Sequence, residues 1–239
     1  MEPLELFYSS SPNVYKVMIA LEELELPYEL RLVDLSLGEQ KDPARLAGAL
    51  HGKVPVLRDA APLDGGAPIT VMESGAILQY LAEKTGRLLP RDPRGRLEAM
   101  QWLFWQMGGL GPIGGQAWHF RAFAPRLEPA TDFRYPRNRY DRMLAALWDV
   151  MEARLADVDH LAGEYSIADI ACFPWIRYLT PDDPVRYAKL LAWRDRIEAR
   201  AAVARWLQRN EAFQTPYGRN ERGGLAYPFE GLARHVLVH

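Results

Sequence analysis

The sequence predicts two domains of different class: an N-terminal α/β domain of order βαβαββα over residues 1–87 and an all-helical domain over residues 94–209, with an extended tail over residues 210–239. Three observations carry this. Apolar residues in the first third switch between a period of two and a period near 3.6. Strand signals end at the linker Leu88-Leu89-Pro90-Arg91-Asp92-Pro93, and from Asn210 the chain becomes rich in Gly, Pro and aromatic residues. A length of 239 residues suits two small domains. The composition, 49% apolar and 25% charged with a net charge of -2, is that of an ordinary soluble protein, with no overall signal for nucleic acid or membrane as partner. No apolar run approaches the length that crosses a bilayer, and Met1-Glu2-Pro3-Leu4-Glu5 lacks the basic-then-apolar form of a signal peptide, so a cytoplasmic location is expected. The single cysteine, Cys172, excludes an intramolecular disulfide, a CxxC redox pair and a cysteine-rich metal site, and no metal is expected.

Leu4-Glu5-Leu6-Phe7-Tyr8 alternates as a strand. Ser9-Ser10-Ser11-Pro12-Asn13 breaks it, and Val14, Val17, Met18 and Leu21 then mark one face of a helix. Ser11 is the expected N-cap, with Pro12 at the first helical position, where a fixed φ helps and no N–H is needed. Tyr28, Leu30 and Leu32 alternate as a second strand, which completes a βαβ unit. Residues 35–52 read as a looser helical connection containing Gln40. Lys53-Val54-Pro55-Val56-Leu57 reads as a strand whose proline belongs at an edge and whose X-Pro bond is a candidate for cis. The backbone of Val54 there could pair with an extended peptide.

Asp64-Gly65-Gly66 is a turn, and residues 68–72 are the next strand. Glu73-Ser74 turns it into a helix with Ile77, Leu78 and Leu81 on one face, which stops at Gly86. A helix start presents unpaired N–H groups and partial positive charge. Ser74 and those groups suit a carboxylate, and Glu73 suits an ammonium, so this turn could hold a small zwitterion. On this stretch alone, the plainer reading is that Ser74 only caps its helix.

In the second domain Leu97, Met100, Leu103, Phe104 and Met107 form one apolar face, and Leu144, Leu147, Trp148, Met151 and Leu155 form another. The glycines of residues 108–115 interrupt the first, either as a loop or as a close approach between backbones. Ser166-Ile167-Ala168-Asp169 has the form of a capping box, which makes both polar residues folding residues. Cys172 lies in the apolar segment that follows and reads as a packing residue.

This combination of a small βαβαββα domain, a proline-led third strand, a Glu-Ser turn and a helical domain with Ser-Ile-Ala-Asp resembles a cytosolic glutathione transferase, with its thioredoxin-like N-terminal domain, over most of the chain. Ser11-Pro12-Asn13, the Trp102-Leu103-Phe104-Trp105-Gln106 run with Gly108-Gly109-Leu110-Gly111-Pro112, and Tyr165-Ser166-Ile167-Ala168-Asp169-Ile170-Ala171 look most like nu-class enzymes, which include glutathione-dependent disulfide-bond oxidoreductases. The resemblance implies glutathione as cosubstrate and a homodimer. It assigns the Val54 backbone and cis Pro55 to the cysteinyl unit, Glu73 and Ser74 to the γ-glutamyl end, and Gln40, Lys53 and Arg139 to further contacts. Ser11 and Asn13 fall where the class places a hydroxyl and an amide beside the sulfur. Relatives commonly have Pro-Asn where this chain has Leu50-His51, and His51 could donate the same hydrogen bond. Ser9, Ser10 and Tyr8 compete for the place beside the sulfur.

A thiol near pKa 8.5 is only a few per cent ionised at neutral pH. The N–H groups and dipole at Ser11-Pro12-Asn13 favour the anion. With no cysteine near that helix start, glutathione is itself the nucleophile: the expected activity is reduction of disulfides, with transferase or peroxidase side activity. The arginines of residues 119–142 suit a ligand carrying several carboxylates. Trp102, Trp105, Trp118 and Phe120 could instead line an apolar pocket for conjugation or thioether cleavage of an aromatic electrophile. A noncatalytic ligand-binding protein of the same fold is a third reading.

Overall fold

Alternation in the first segment forms β1 (Leu4–Tyr8), and its inward residues Leu4, Leu6 and Tyr8 are buried. The computed structural model describes residues 3–218 and 225–237. Helix α1 (Pro12–Leu24) follows with Ser11 as its N-cap, the Ser11 hydroxyl accepting the Asn13 N–H. Strand β2 (Tyr28–Leu32) lies parallel to β1 with Leu6 opposite Leu30. The remaining strands, β3 (Val56–Asp59) and β4 (Ile69–Met72), are antiparallel, so the sheet order is β2-β1-β3-β4. Helix α2 (Ser74–Thr85) ends at Gly86 in the left-handed conformation. Val14, Val17, Met18 and Leu21 of α1 and Ile77, Leu78 and Leu81 of α2 are all fully buried, as their spacing predicts.

Two expectations for this region change. Residues 35–52 hold two single 3-10 turns, Leu35–Leu37 and Glu39–Lys41, where a helix is predicted. Gly38 at φ 76°, Ala47 at φ 49° and Gly48 at φ 85° leave the helical conformation, and Pro43 between them has no N–H to donate. Pro55 is not within an edge strand. It precedes β3, which lies between β1 and β4, and the Val54-Pro55 bond is cis.

The chain forms two compact units, residues 1–87 with 200–239 and residues 88–199. The second unit contains α3 (Pro93–Trp105), a π-helical turn Gln106–Leu110 and α4 (Gly111–Trp118), then a π-helical turn His119–Phe123, α5 (Ala124–Leu127), α6 (Arg134–Arg154), α7 (Ile167–Tyr178) and α8 (Ala188–Glu198). Of the two readings of the glycine-rich stretch, close approach is the one realised: a Cβ on Gly114 would lie 2.9 Å from Trp175 of α7. The capping box forms as expected. Asp169 is completely buried and accepts hydrogen bonds from the N–H of Ser166 at 3.1 Å, the N–H of Leu161 at 3.0 Å and the indole of Trp193 at 2.8 Å. Cys172 is buried in α7.

The first unit is completed by α9 (Ala201–Gln214), which packs on α1. Trp206 meets Tyr15 with ring centroids 5.2 Å apart, and Arg200 pairs with Glu23. The helix runs past Asn210, where a tail is predicted, because Asn210 and Gln214 are buried and bonded to the Tyr8 hydroxyl. A 3-10 turn Thr215–Tyr217 ends it. The predicted tail is therefore partly helical: α10 (Phe229–Leu232) and a π-helical turn Ala233–Leu237 rest on the Leu35–Leu37 turn. Residues 219–224 and 238–239 of that tail lie outside the described residues.

Replacing Asp169 with Ala strands three buried donors, and each stranded donor costs about 1–3 kcal/mol. A fall in unfolding free energy of about 3 kcal/mol or more is expected by urea denaturation; less than 1 kcal/mol would contradict this account. Asp59 supplies an acid-sensitive term. Burial alone would raise its carboxyl, but hydrogen bonds from Lys84, Tyr80 and the Ala61 N–H hold it below the ordinary value of 3.8. A depressed carboxyl stabilises fully above the unfolded value and ceases to do so as pH falls through the folded value. Denaturation in steps down through pH 3.8 should show a loss of stability that Asp59→Asn lacks.

Candidate active site

The three serines that end β1 differ in what their hydroxyls can do. Ser9 is fully buried, with its Oγ 2.5 Å from the Tyr227 hydroxyl. Ser10 Oγ accepts from the Leu225 N–H at 2.7 Å and from Gln214 Nε2 at 2.9 Å. Ser11 is half-buried, and its oxygen accepts the Asn13 N–H at 3.2 Å, which leaves its proton to donate outward. Tyr8, the other rival, is fully buried and donates to Asn210 Oδ1 at 2.6 Å. Burial pushes its phenol far above the ordinary range. Of the four, Ser11 keeps both a half-exposed hydroxyl and a place at the start of α1.

At the other helix start, Glu73 is the N-cap residue of α2 and Ser74 the first helical residue, so Ser74 is not the cap. Glu73 adopts φ 69°, a conformation that a non-glycine residue holds only where the surrounding structure imposes it, and one characteristic of binding sites. Its side chain makes no capping bond. Its carboxylate lies 3.3 Å from His51 Nε2. His51 thus belongs with Glu73, and its Nδ1 is buried without a hydrogen-bond partner among the described residues.

Ser74 has a partner that sequence reasoning missed. Lys16 of α1 is completely buried and donates from Nζ to Ser74 Oγ at 3.2 Å. An ammonium only donates, so Ser74 accepts and its own proton points elsewhere. Lys16 follows Asn13 by three positions and therefore shares its face of α1. The signal in the sequence was a lysine inside the apolar run Val14-Tyr15-Lys16-Val17-Met18.

Val54 makes no backbone hydrogen bond among the described residues, so its N–H and C=O remain open to an extended ligand beside buried Pro55. Lys53 is exposed. Gln40 is buried, but its amide donates to the His235 carbonyl at 3.1 Å, while its Oε1 has no partner among the described residues. Arg139 stands exposed in α6 and makes no ion pair among the described residues. Of the neighbouring arginines, Arg121 pairs with Asp141 and Arg134 with Asp132. Phe120 stacks on Tyr140 in the same unit, centroids 5.5 Å apart. A cleft of about 500 Å³ in the first unit contains none of these residues; it is bounded by Glu5, Arg31, Arg45 and Arg58, whose charges pair among themselves and with neighbouring glutamates.

Residues 10–84 match the N-terminal domain of glutathione S-transferases and residues 134–209 the C-terminal domain. The chain is 43% identical over 207 residues to the disulfide-bond oxidoreductase YfcG of Escherichia coli, an alignment covering 85% of this chain and 94% of that protein. Among solved structures, a glutathione transferase from Burkholderia graminis with two glutathione molecules bound per subunit is 41% identical at a TM-score of 0.78, covering 86% of this chain and 87% of that one. One from Pseudomonas putida with a glutathione disulfide bound per subunit is 37% identical at a TM-score of 0.77, covering 86% and 90%. The chain belongs to the glutathione S-transferase family.

Lys16→Met removes the ammonium beside Ser74 while keeping an unbranched apolar stem. Glutathione affinity measured by calorimetry is expected to fall about tenfold, the equivalent of about 1.4 kcal/mol, with circular dichroism unchanged. Unchanged affinity would remove Lys16 from the site.

Proposed function

We propose that this protein is a glutathione-dependent disulfide-bond oxidoreductase of nu-class type, acting on small disulfides. The observation that carries the reading is the start of α1: a serine hydroxyl free to donate, an asparagine beside it and a helix dipole behind it, in a chain whose one cysteine is buried in α7. These groups favour a thiolate and offer no protein thiol, so the reducing thiol comes from glutathione. The relatives support the same chemistry: one is named a disulfide-bond oxidoreductase, and two are described with two glutathione molecules or one glutathione disulfide per subunit.

The steps balance as two exchanges. Glutathione thiolate attacks one sulfur of the substrate disulfide, forming a glutathione mixed disulfide and expelling the other sulfur as a thiolate, which takes up a proton. A second glutathione gives up its proton and attacks the glutathione sulfur of that mixed disulfide. Glutathione disulfide forms, and the remaining substrate thiol leaves. Two electrons pass from two glutathiones to the substrate. Ser11 and Asn13 donate to the attacking thiolate, Val54 pairs with the cysteinyl backbone after which cis Pro55 turns the chain, and Glu73 and Ser74 take the γ-glutamyl ammonium and carboxylate. Lys53 is the cation for the remaining carboxylate, and the assignment of Gln40 and His51 to the same end rests on the resemblance. The assignment of Arg139 to the same ligand rests on the resemblance.

A homodimer is part of this reading, again by resemblance. So is a cytoplasmic location, since a reducing, glutathione-rich compartment suits an enzyme with a lone cysteine. The second reading, conjugation or thioether cleavage of an aromatic electrophile, is favoured by the stacked Phe120 and Tyr140.

Reduction of a small model disulfide and conjugation of an aromatic halide, each with glutathione and the same purified protein, separate the two. Strong reduction is expected, falling at least tenfold in Ser11→Ala and further when Asn13→Ala is added. Conjugation that exceeds reduction would establish the second reading, and reduction indifferent to the double substitution would overturn the assignment of α1.

A further inference from the structure

The C-terminal segment reaches back to the turn that carries Ser11, through residues outside both matched family segments. Tyr227 is the centre of that contact. Its hydroxyl lies 2.5 Å from Ser9 Oγ and 3.3 Å from the Val33 carbonyl. A carbonyl only accepts, so the phenolic proton goes to Val33 and the Ser9 hydroxyl donates to the phenolic oxygen. Val33 in turn donates its N–H to the Tyr8 carbonyl at 2.8 Å. One side chain therefore ties the C-terminal ends of the neighbouring parallel strands β1 and β2, where the Ser9-Ser10-Ser11 turn leaves the sheet. Two residues earlier in the tail, the Leu225 N–H fills one acceptor position of Ser10, and Gln214 fills the other.

We propose that Tyr227 is a positioning residue for glutathione activation: by consuming the Ser9 hydroxyl and holding the β1 end, it sets the placement of the Ser11 hydroxyl that donates to sulfur. The inference rests on the functional reading above and adds a residue that touches neither substrate nor sulfur. The clamp is durable across the working pH range, because burial pushes the Tyr227 phenol up to about 12. Its effect falls on the thiol end of glutathione. The γ-glutamyl end is assigned to Glu73 and Ser74 at the start of α2, a different helix start from the one that Tyr227 adjoins.

That division defines the test. Tyr227→Phe keeps the ring and deletes the bond to Ser9 and the bond to Val33. Truncation of the tail would also free Gln40 from His235, so the single substitution is the cleaner probe. Two quantities are measured with full-length protein and glutathione: the dissociation constant, and the apparent pKa of the bound thiol from its ultraviolet thiolate absorbance. In the unaltered protein the bound thiol should titrate below free glutathione. In Tyr227→Phe it is expected to rise by about half a unit to one unit, with up to about a tenfold loss of disulfide turnover at neutral pH, while the dissociation constant changes less than about twofold. Ser9→Ala removes the same bond from the other side, stands in if Tyr227→Phe fails to fold, and should shift the thiol in the same direction; the double variant should be no worse than the more affected single one. A thiol pKa unchanged in both single variants overturns the role of Tyr227 while leaving the functional reading intact. A thiol that already titrates like free glutathione in the unaltered protein overturns both, and is recognised before any substitution is made.

Discussion

The buried hydrogen bond from Lys16 to Ser74 is the constraint on which the first unit turns. An ammonium taken out of water costs several kcal/mol unless its donors are used, and the bond to Ser74 uses one of them, tying α1 to α2. The bond joins the helix that presents Asn13 to the helix start that presents Ser74, and so relates the groups suited to a thiolate to the groups suited to an α-amino acid. It also settles the polarity of Ser74, which must accept from Lys16. A binding feature and a folding feature coincide here in a single contact.

The sheet supplies the other half of the arrangement. Parallel pairing of β1 and β2 places the ends of both strands, Tyr8 and Leu32, side by side, and the chain leaves β1 there to begin α1. Antiparallel pairing of Val56 with Met72 places the cis Val54-Pro55 step and the Glu73 turn next to each other across β3 and β4. Glu73 holds φ 69° immediately after β4, a conformation that costs roughly 1–3 kcal/mol and persists because the strand before it and the helix after it over-determine the turn. The second unit is organised by a different buried charge. Asp169 collects three donors from the loop before α7, its own N-cap residue and α8, which explains why a carboxylate is buried in the first turn of that helix.

Much of this was legible from residue order. The strand alternation of Leu4-Glu5-Leu6-Phe7-Tyr8, the Ser11-Pro12 helix start, the Gly86 stop and the Ser166-Ile167-Ala168-Asp169 box are local, and local geometry is what side-chain period, φ restriction and capping report. The connection over residues 35–52 reads as a loose helix, but residues at positive φ break it into turns. Leu46 is buried against Val33 and Val56, and Leu50 is exposed. Proline cannot donate to a ladder, which by itself points Pro55 to an edge. The chain satisfies that rule differently, by starting β3 one residue later.

The sequence by itself determined the class of the two halves, both helix starts, the lone buried cysteine and the family resemblance, because each depends on residue types a few positions apart. Only the tertiary structure decided that Ser9 spends its proton on Tyr227, that Lys16 lies under Ser74, that His51 meets Glu73, that Gln40 gives its amide to His235, and that α9 and the C-terminal segment pack with the first unit. Those pairings join residues from 22 to 218 positions apart, counted from His51 with Glu73 and from Ser9 with Tyr227. Periodicity and capping carry no information at that range; which donor reaches which acceptor is settled by packing, where each buried polar group must find a partner.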